Sequence, residues 1–486
     1  AHTVIIGAGI GGLTTAALLL QAGQRVTILE AHIYPGGSAG TFYNRGYRFD
    51  AGATLAGGFS SGGPHARLAD KLHLRWPTRP VDPAWITHLP GQTITQWSDP
   101  TRWQEERNKA FPGTESFWRL QEKLADLAWD LSSRHFPWPP STLADIGSIL
   151  QALRARTLRA VPYLFSKVSD LTPGSAPPGF HTFLDAQLLI SAQTTARIAI
   201  ALYGSAALDL PRRGVNSVRG GIGMLAQTLV NWIRENGGEI IYRQPVNQIL
   251  VRNRRVVGVR TAKGLELSCD FLVANLTPWA LADLLAENAP PSLKNEVKRR
   301  LPTWGAFTLY LGLENNYIPG GTADHHQVIC DPNQPLGEGN SVFISLSDAS
   351  DPTRAPKGMR AATLSTHTAV LPWWAAASRD PQAYARRQAE YTERILKAAE
   401  TALPSLRKSI RLCLPATPLT FQFYTRRPMG MVGGFPQTSL VKARGPATGL
   451  PNLWLVGDSV FPGQSTAGTT LGGWRVAENV IRASNH

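Results

Sequence analysis

The chain opens with blocks of apolar residues separated by a glycine-rich turn. Residues 3–6 form a short apolar run, residues 13–21 are rich in helix-forming side chains, and residues 26–29 are again apolar. Short apolar runs bounded by glycine are typical of buried strands in a parallel sheet, and the block between them is long enough for a helix. The first 30 residues therefore predict a strand, a glycine turn, a helix and a second strand.

The turn after the first strand has the glycine spacing of a dinucleotide-binding loop. Gly7 permits a tight turn, Gly9 lets the backbone approach a pyrophosphate, and Gly12 allows helix and strand to pack closely. The start of the helix offers free N–H groups and a positive dipole to phosphate. Glu30 ends the second strand, where an acidic residue accepts hydrogen bonds from an adenosine ribose. A structural glycine turn is the alternative, but this context favours a nucleotide.

The C-terminal segment distinguishes FAD from NAD, which share the glycine fingerprint. Residues 453–456 form an apolar run that ends in Gly457 and Asp458, and a final helix is predicted from about Ala467. In FAD enzymes of the glutathione-reductase-like group, such a strand end brings a carboxylate near the ribityl and pyrophosphate groups. The following helix points its positive end at the flavin. An Asp that only caps the next segment is the alternative, but the pattern predicts FAD as the cofactor.

Between these two ends the pattern changes twice. Residues 101–215 are helical segments rich in Trp and Phe, after which a glycine turn and a helix over 224–235 return to the nucleotide-binding style. Residues 281–414 alternate strands and helices, including a helix from Asp380 to near Ala402. The prediction is an α/β fold, with an FAD-binding Rossmann-like (glutathione-reductase-like) domain and an inserted mixed α+β substrate domain. The first domain comprises residues 1–100, 216–280 and 415–486, and the second comprises 101–215 and 281–414.

Composition and charge narrow the class of partner. The 486 residues are 43% hydrophobic and 17% charged, which suits two connected domains of a globular enzyme. The net charge of +15 favours an anionic partner. The arginines are scattered and match no nucleic-acid motif, so a membrane surface is preferred over nucleic acid. Because neither a leader nor an 18-residue apolar run is evident, the expectation is a peripheral protein on the cytoplasmic side of a membrane.

The residues that usually bind metals are poorly arranged for it. Three cysteines lie far apart along the chain and have no metal-ligand spacing. His325 and His326 are adjacent but lack further ligands nearby, and a solvated loop is expected there. The sequence therefore predicts no metal site.

Several long stretches of the chain carry a family resemblance. They are VIIGAGIGGLTTAALLLQAG, VTILEAHIYPGGSAGTF, GYRFDAGAT, GGIGMLAQTL and LWLVGDSVFPGQSTAGTTLGG. Together they resemble the carotenoid desaturase and isomerase family of flavoproteins, which includes the phytoene desaturases. Amine-oxidase relatives usually carry Arg after the glycine pair, whereas this chain has Ser38, so an amine substrate is disfavoured.

The resemblance implies a set of cofactor and edge residues. The implied FAD contacts are Gly7, Gly9, Ile10, Gly11, Gly12, Glu30, Gly37, Ser38, Val246, Gly457, Asp458, Gly463, Thr466 and Ala467. It further implies that Asp50 and Gly52 shape the edge of the flavin. The substrate it implies is a lipophilic carotenoid.

Four strings in the middle of the chain suggest a branch of this family. SDPTRWQEERNKAFPG, TFLDAQLLISAQ, PLGEGNSVFISLSD and RRPMGMVGGFPQ are similar to the cyanobacterial branch that inserts a 3',4' double bond during xanthophyll synthesis. The resemblance implies a monocyclic, 1'-hydroxylated carotenoid. Residues 468–470 depart from the pattern, which leaves regiochemistry and end-group preference open. Two alternatives are a carotene cis-trans isomerase without net redox and a non-enzymatic carotenoid carrier, although the intact Glu30 and Asp458 disfavour the carrier.

Desaturation requires an acceptor for two electrons, which FAD supplies and no side chain does. Because a polyene delocalises positive charge, a strong protein base is unnecessary, and no hydrolase-type signature is present. Asp185, within the apolar run 183–190, is the candidate for proton handling if burial raises its pKa. A hydrogen-bonded structural Asp is the alternative. A membrane quinone and oxygen both remain open as the final electron acceptor.

One segment has the pattern of a helix that lies on a membrane. Its apolar residues recur at helical spacing and basic residues accompany them. The apolar set is Ile146, Ile149, Leu150, Leu153, Leu158, Val161, Leu164 and Phe165, and the basic set is Arg154, Arg156, Arg159 and Lys167. An amphipathic helix packed on the protein's own core is the alternative.

Overall fold

The structure is a computed structural model that describes residues 1–132, 134, 138–140 and 143–485. The strands are β1 (His2–Ile6), β2 (Arg25–Leu29), β3 (Thr41–Asn44), β4 (Tyr47–Asp50), β5 (Ala56–Gly57), β6 (Thr78–Val81), β7 (Trp85–Leu89), β8 (Gln92–Gln96), β9 (Val215–Val218), β10 (Glu239–Ile241), β11 (Val246–Arg252), β12 (Arg255–Thr261), β13 (Glu266–Ser268), β14 (Phe271–Ala274), β15 (Trp304–Glu314), β16 (His325–Ile329), β17 (Ser341–Leu346), β18 (Met359–Ala369), β19 (Ile410–Ala416) and β20 (Leu453–Leu455).

The α-helices are α1 (Ile10–Gln21), α2 (Pro64–Leu72), α3 (Pro100–Ala110), α4 (Glu115–Ser132), α5 (Leu143–Ala152), α6 (Phe180–Ala192), α7 (Ala201–Leu208), α8 (Leu210–Arg213), α9 (Gly223–Glu235), α10 (Pro278–Leu285), α11 (Pro291–Arg299), α12 (Leu371–Arg379), α13 (Pro381–Ala399), α14 (Leu406–Ser409), α15 (Pro418–Thr425) and α16 (Thr466–Ser484). Short 3-10 helices span Gly37–Ala39, Ala155–Tyr163, Val168–Leu171, Ala286–Asn288, Asn315–Tyr317 and Pro428–Gly430.

A parallel sheet holds both ends of the chain. Its five strands have the order β10-β2-β1-β14-β20, and every neighbouring pair is parallel. Their unbroken apolar runs are required because the sheet is covered on both faces. Ile5 and Ile28 share one core with α1, α9 and α16, whereas Val4 and Leu29 share another with α10 and β12. The predicted α/β fold with a Rossmann-like FAD-binding sheet is confirmed.

A mixed seven-stranded sheet forms the second layer. Its order is β19-β15-β18-β17-β16-β7-β8, and only the β16–β7 pair is parallel. β15 and β18 pair along the full length of both 11-residue strands. β7 and β8 pair here, although the predicted division assigned residues 1–100 to the FAD-binding domain. The domain boundaries stay a prediction.

The helices between residues 101 and 215 pack around a core rich in aromatic rings. Trp103, Phe117, Trp118, Phe180 and Phe183 lie in one buried cluster with edge-to-face contacts. Such contacts add stabilisation beyond the apolar area that each ring buries. Side chains of these helices and of the seven-stranded sheet line a cavity that also borders the carboxyl ends of β14 and β20.

The expectation of a solvated loop at His325 and His326 is wrong. Both residues are buried in β16, which pairs with β17 on one side and β7 on the other. His325 Nδ1 lies 3.0 Å from Ser345 Oγ, and His326 Nδ1 lies 3.1 Å from His88 Nε2. Burial lowers the pKa of His325 to about 3 and that of His326 to about 4, so both rings are neutral.

Candidate active site

The first glycine turn joins β1 to the buried start of α1. Gly7 has a φ of +94°, and its N–H donates to Leu29 O at 2.8 Å. A Cβ on Gly12 would lie 2.6 Å from Gly7 O, so only glycine allows helix and strand to approach this closely. Gly9 precedes the helix, and Ile10 and Gly11 begin it with their backbone facing a cavity. Gly7 and Gly12 thus form a tight turn and a close helix–strand contact, whereas the pyrophosphate contact at Gly9 stays a prediction.

Glu30 lies beside this turn and is held by backbone donors. Its Oε2 accepts from Ala8 N and its Oε1 from His32 N, each at 2.7 Å. Burial raises the pKa of Glu30, and the two N–H groups act in the opposite direction. Gln244 N donates to Glu30 O at 2.9 Å, which brings the start of β11 and Val246 to the same edge of the sheet. The predicted adenine and ribose contacts are therefore near each other.

A second glycine turn lies directly against the first. Gly36 has a φ of +110°, its N–H donates to Ala8 O at 2.8 Å, and it forms a bridge with Gly9. Gly37 and Ser38 follow in a short 3-10 helix and line the cavity. A Cβ on Gly52 would lie 2.8 Å from Ser38 O, so Gly52 must be glycine to pack there. Two turns with exposed backbone thus face one space.

The end of β20 brings Asp458 to the same cavity, where an arginine holds it. Gly457 has a φ of +116°, and Asp458 follows it. Arg427 Nη1 donates to both carboxylate oxygens of Asp458 at 2.9 Å. The other guanidinium nitrogens donate to Met431 O at 2.8 Å and Gly433 O at 2.6 Å. Arg427 therefore fixes the orientation of the carboxylate.

The final helix directs its N-terminus at the cavity. Ser465 caps α16 by accepting from Gly468 N at 3.0 Å, and Thr466 and Ala467 line the cavity. Thr466 Oγ lies 3.0 Å from Nε2 of the fully buried His65. Gly463, with a φ of +96°, forms the bend before the helix. The positive end of the helix dipole consequently faces the cavity.

These elements surround a cavity of about 760 Å³. Gly9, Gly37, Asp458 and Thr466 belong to its lining. The lining also includes an apolar set, which comprises Ile149, Leu153, Leu158, Val161 and Leu164. Cavities of this size that are mostly apolar and carry a few polar groups are typical of small-molecule sites. The nucleotide turns and the predicted membrane segment therefore border one continuous space.

Two predicted carboxylates lie elsewhere. Asp185 accepts from Ala196 N at 2.7 Å, and burial raises its pKa while that N–H lowers it. Within the described residues the cavity is lined by its helix neighbours Ala186 and Leu189, and not by Asp185 itself. Asp50 is buried against Arg354 and accepts from Ile222 N at 2.8 Å, whereas Gly52 does line the cavity. The hydrogen bonds of both aspartates, and the ion pair of Asp50, are those expected of residues with a structural role.

Asn275, which was not among the predicted site residues, follows β14 at the carboxyl edge of the parallel sheet. Its side chain lies among Gly7, Gly9 and Gly457, and it lines the cavity. A Cβ on Gly9 would collide with the Asn275 amide. Ligands of parallel α/β sheets bind beyond the carboxyl ends of the strands, so the position of Asn275 after an apolar strand was a usable signal. Arg427 had no comparable signal in the sequence.

The predicted membrane segment is apolar and largely exposed. α5 and the 3-10 helix Ala155–Tyr163 expose Leu150, Leu158 and Val161, and Phe165 after them is 79% exposed. Arg156 pairs with Asp130 on α4. In the part of the chain that the structure describes, no helix is long and apolar enough to cross a membrane.

Comparisons with known proteins agree with this geometry. The family model described as flavin containing amine oxidoreductase matches residues 10–481. The prolycopene isomerase of Daucus carota is 28% identical, and the alignment covers 98% of this chain and 79% of that protein. The neurosporene-forming phytoene desaturase of Rhodobacter capsulatus is 24% identical, and the alignment covers 99% of this chain and 94% of that protein. The resemblance to the carotenoid desaturase and isomerase group is confirmed.

Solved structures show the same fold. An oxidoreductase from Methanosarcina mazei superposes with a TM-score of 0.64 at 18% identity and covers 98% of this chain and 100% of that one. Putrescine oxidase bound to putrescine has a TM-score of 0.64 at 14% identity, with 99% of each chain covered. Since the family model spans almost all of the sequence, the chain belongs to the flavin-containing amine oxidoreductases, and FAD is its cofactor.

Proposed function

We propose that this protein is an FAD-dependent carotenoid desaturase that introduces a C-3',4' double bond into a monocyclic, 1'-hydroxylated carotenoid during xanthophyll synthesis. The observation that carries the proposal is the cavity that leads from the nucleotide turns to an exposed apolar segment. An elongated polyene requires an apolar path of this kind. The relatives, which are prolycopene isomerases and phytoene desaturases, support a carotenoid substrate.

The residues around the glycine turns fit FAD. A Cβ on Gly12 or Gly52 would collide with Gly7 O or Ser38 O, so glycine at these positions keeps the two turns closely packed beside the cavity-lining backbone of Gly9 and Gly37. We assign the pyrophosphate to the turn at Gly9 and Gly11, and the adenosine ribose to Glu30. Asp458, fixed by Arg427, would hold the ribityl chain, and the N-terminus of α16 would stabilise negative charge at the flavin. When bound, FAD supplies the acceptor for two electrons.

The protein's own contribution to the chemistry would be the placement of the polyene beside the FAD site. The apolar part of the lining would hold the polyene along the cavity. Because the polyene stabilises positive charge by delocalisation, the mechanism does not depend on a strong base. Two observations support this proposal: Asp185 accepts a hydrogen bond from Ala196 N, and it is not among the described residues that line the cavity.

We further propose that the segment from α5 to Phe165 lies in the surface of a membrane. Leu150 is 63% exposed and Phe165 is 79% exposed, while Ile149 and Leu164 of the same segment line the cavity. A surface of this kind would let a carotenoid leave the bilayer without crossing water. Exposed Arg154 and Arg159 would favour anionic lipid, although Arg154 lies 4.0 Å from Asp130. A membrane quinone and oxygen are both compatible electron acceptors.

Vesicle flotation tests the membrane proposal. Wild-type protein should float with vesicles containing anionic lipid, and a variant with Leu150→Ser and Phe165→Ser should not. Leu301→Ser is a matched control, because Leu301 is 83% exposed and lies outside this segment. Unchanged flotation of the double variant would exclude the segment as the membrane contact.

Prolycopene isomerases among the relatives favour one second candidate, a carotene cis-trans isomerase without net redox. Anaerobic mixing separates the two. A desaturase loses the absorbance of its oxidised flavin in proportion to the carotenoid added, whereas an isomerase needs prior reduction and regains its electrons. Expression in cells that accumulate different carotenoids then identifies the one that gains conjugation.

A further inference from the structure

Two polar side chains form a pair in the lining of the cavity. Gln193 directly follows α6 in the left-handed conformation, with a φ of +56°, and His367 lies on β18. Gln193 Nε2 is 3.3 Å from His367 Nε2, and both residues line the cavity. A Cβ on Gly433 would lie 2.8 Å from the Gln193 side chain, so the neighbouring loop holds the amide in place. The pair is therefore positioned by three separate elements.

The pair lacks one hydrogen bond. Gln193 is 6% exposed, and among the described residues its Oε1 has no hydrogen-bonding partner. By contrast, the cavity-lining Gln327 accepts from Gln187 at 2.7 Å and donates to Ala186 O at 3.1 Å. A buried polar atom without a partner costs stability, so its retention indicates a missing group.

Whether the missing group donates or accepts depends on the orientation of the Gln193 amide. Burial lowers the pKa of His367 to about 4, so the ring is neutral and one nitrogen donates while the other accepts. If Gln193 donates to His367, the amide oxygen needs a donor. If the amide is rotated and His367 donates instead, the amide N–H needs an acceptor. A hydroxyl group satisfies either arrangement, and a hydrocarbon satisfies neither.

We infer that Gln193 and His367 form a binding site for a hydroxyl group carried by the otherwise apolar substrate. Thr363 and Ser365, which precede His367 on the same face of β18, also line the cavity and extend the polar strip. The inference rests on the proposed carotenoid substrate and adds the residues that select its oxygenated end. Gln193 is thus a determinant of specificity.

Anaerobic binding to the FAD-loaded enzyme tests the site. Two carotenoids that differ only in one hydroxyl are titrated in detergent micelles, and the shift in carotenoid absorbance is followed. Wild type should bind the hydroxylated compound about 10- to 100-fold more tightly, because its counterpart leaves the buried pair unpaired. Gln193→Met, which keeps an unbranched side chain of similar length, should bind both equally. His367→Phe, on a different element, should also lose the preference.

Leu188→Met is the matched control, since it changes a buried apolar residue of the same helix that is not among the described residues lining the cavity, and it should keep the preference. Equal binding of both carotenoids by wild type would overturn this inference and leave the proposed function standing. Binding of neither would overturn both. Gln193→Met with an intact preference but weakened FAD binding would show that the amide serves the flavin, and would also overturn the inference.

Discussion

Asp50 and Asp458 are two carboxylates that the sequence placed at the flavin, and each forms an ion pair with an arginine. Asp50 and Arg354 are almost fully buried, 2.9 Å apart, and join β4 to the loop before β18. Asp458 and Arg427 are also 2.9 Å apart, but both are partly exposed and line the cavity. The two ion pairs therefore have different roles. The buried Asp50–Arg354 pair links two parts of the fold, whereas the Asp458–Arg427 pair lines the cavity and is accessible to a ligand.

Breaking the buried pair should have the largest effect. Arg354→Met leaves Asp50 buried without its cation, and the free energy of unfolding should fall by about 3–5 kcal/mol. Urea denaturation of the FAD-loaded protein measures the change. Arg411→Met is the control, because Arg411 pairs with Glu314 at the surface and should cost less than about 1 kcal/mol. Equal free energies of unfolding for the two variants would mean that the Asp50–Arg354 ion pair does not stabilise the fold.

A decrease in pH should lower the free energy of unfolding, because His325, which is buried near Arg354, becomes protonated when the chain unfolds. Burial, together with nearby cations that include Arg354, lowers the pKa of His325 to about 3 from 6.5. Between those values the unfolded chain binds the extra proton, so stability is complete above pH 6.5 and falls as the pH decreases toward 3. One such group contributes a slope of about 1.4 kcal/mol per pH unit. In the His325→Gln variant, the free energy of unfolding should fall less steeply as the pH decreases below 6.5. An unchanged slope of this free energy against pH would contradict the role assigned to His325.

Removing the second arginine should separate stability from ligand binding. Arg427→Met should cost only about 1 kcal/mol of stability, since Asp458 stays partly solvated. The FAD dissociation constant should nevertheless rise about tenfold, because the carboxylate loses its fixed orientation. Flavin fluorescence titration of the apoprotein measures this. Folded Arg354→Met should retain the FAD affinity of the wild type. Equal FAD affinities of the Arg354→Met and Arg427→Met variants would contradict the different roles of the two ion pairs.

The smallest effect is expected at Asp185. Asn keeps an oxygen that accepts from Ala196 N, so Asp185→Asn should change stability by less than about 1 kcal/mol. Turnover with FAD fully bound should be unchanged, because Asp185 is not among the described residues that line the cavity. A large loss of turnover at constant FAD content would restore Asp185 as a proton-handling residue.

Much of the fold was predictable because it depends on local patterns. The helix predicted from Asp380 is α13, with Asp380 accepting from Gln382 N and Ala383 N at its start. The run at β1 and the spacing of Gly7 and Gly12 likewise encode a strand and a turn within one short segment. The solvated loop predicted at His325 was wrong, because its burial comes from β7 and β17, which are remote in sequence.

The sequence by itself determined that this protein has a dinucleotide turn, an acidic residue after the second strand and a late Gly-Asp strand end. Each of these features depends only on residues that are close together in the sequence, and in combination they predict FAD as the cofactor. Only the tertiary structure decided which polar side chains face the cavity. It brought Asn275 against Gly9, Arg427 against Asp458, and Gln193 against His367. The physical reason is that burial and hydrogen bonding depend on chain segments that meet only after folding.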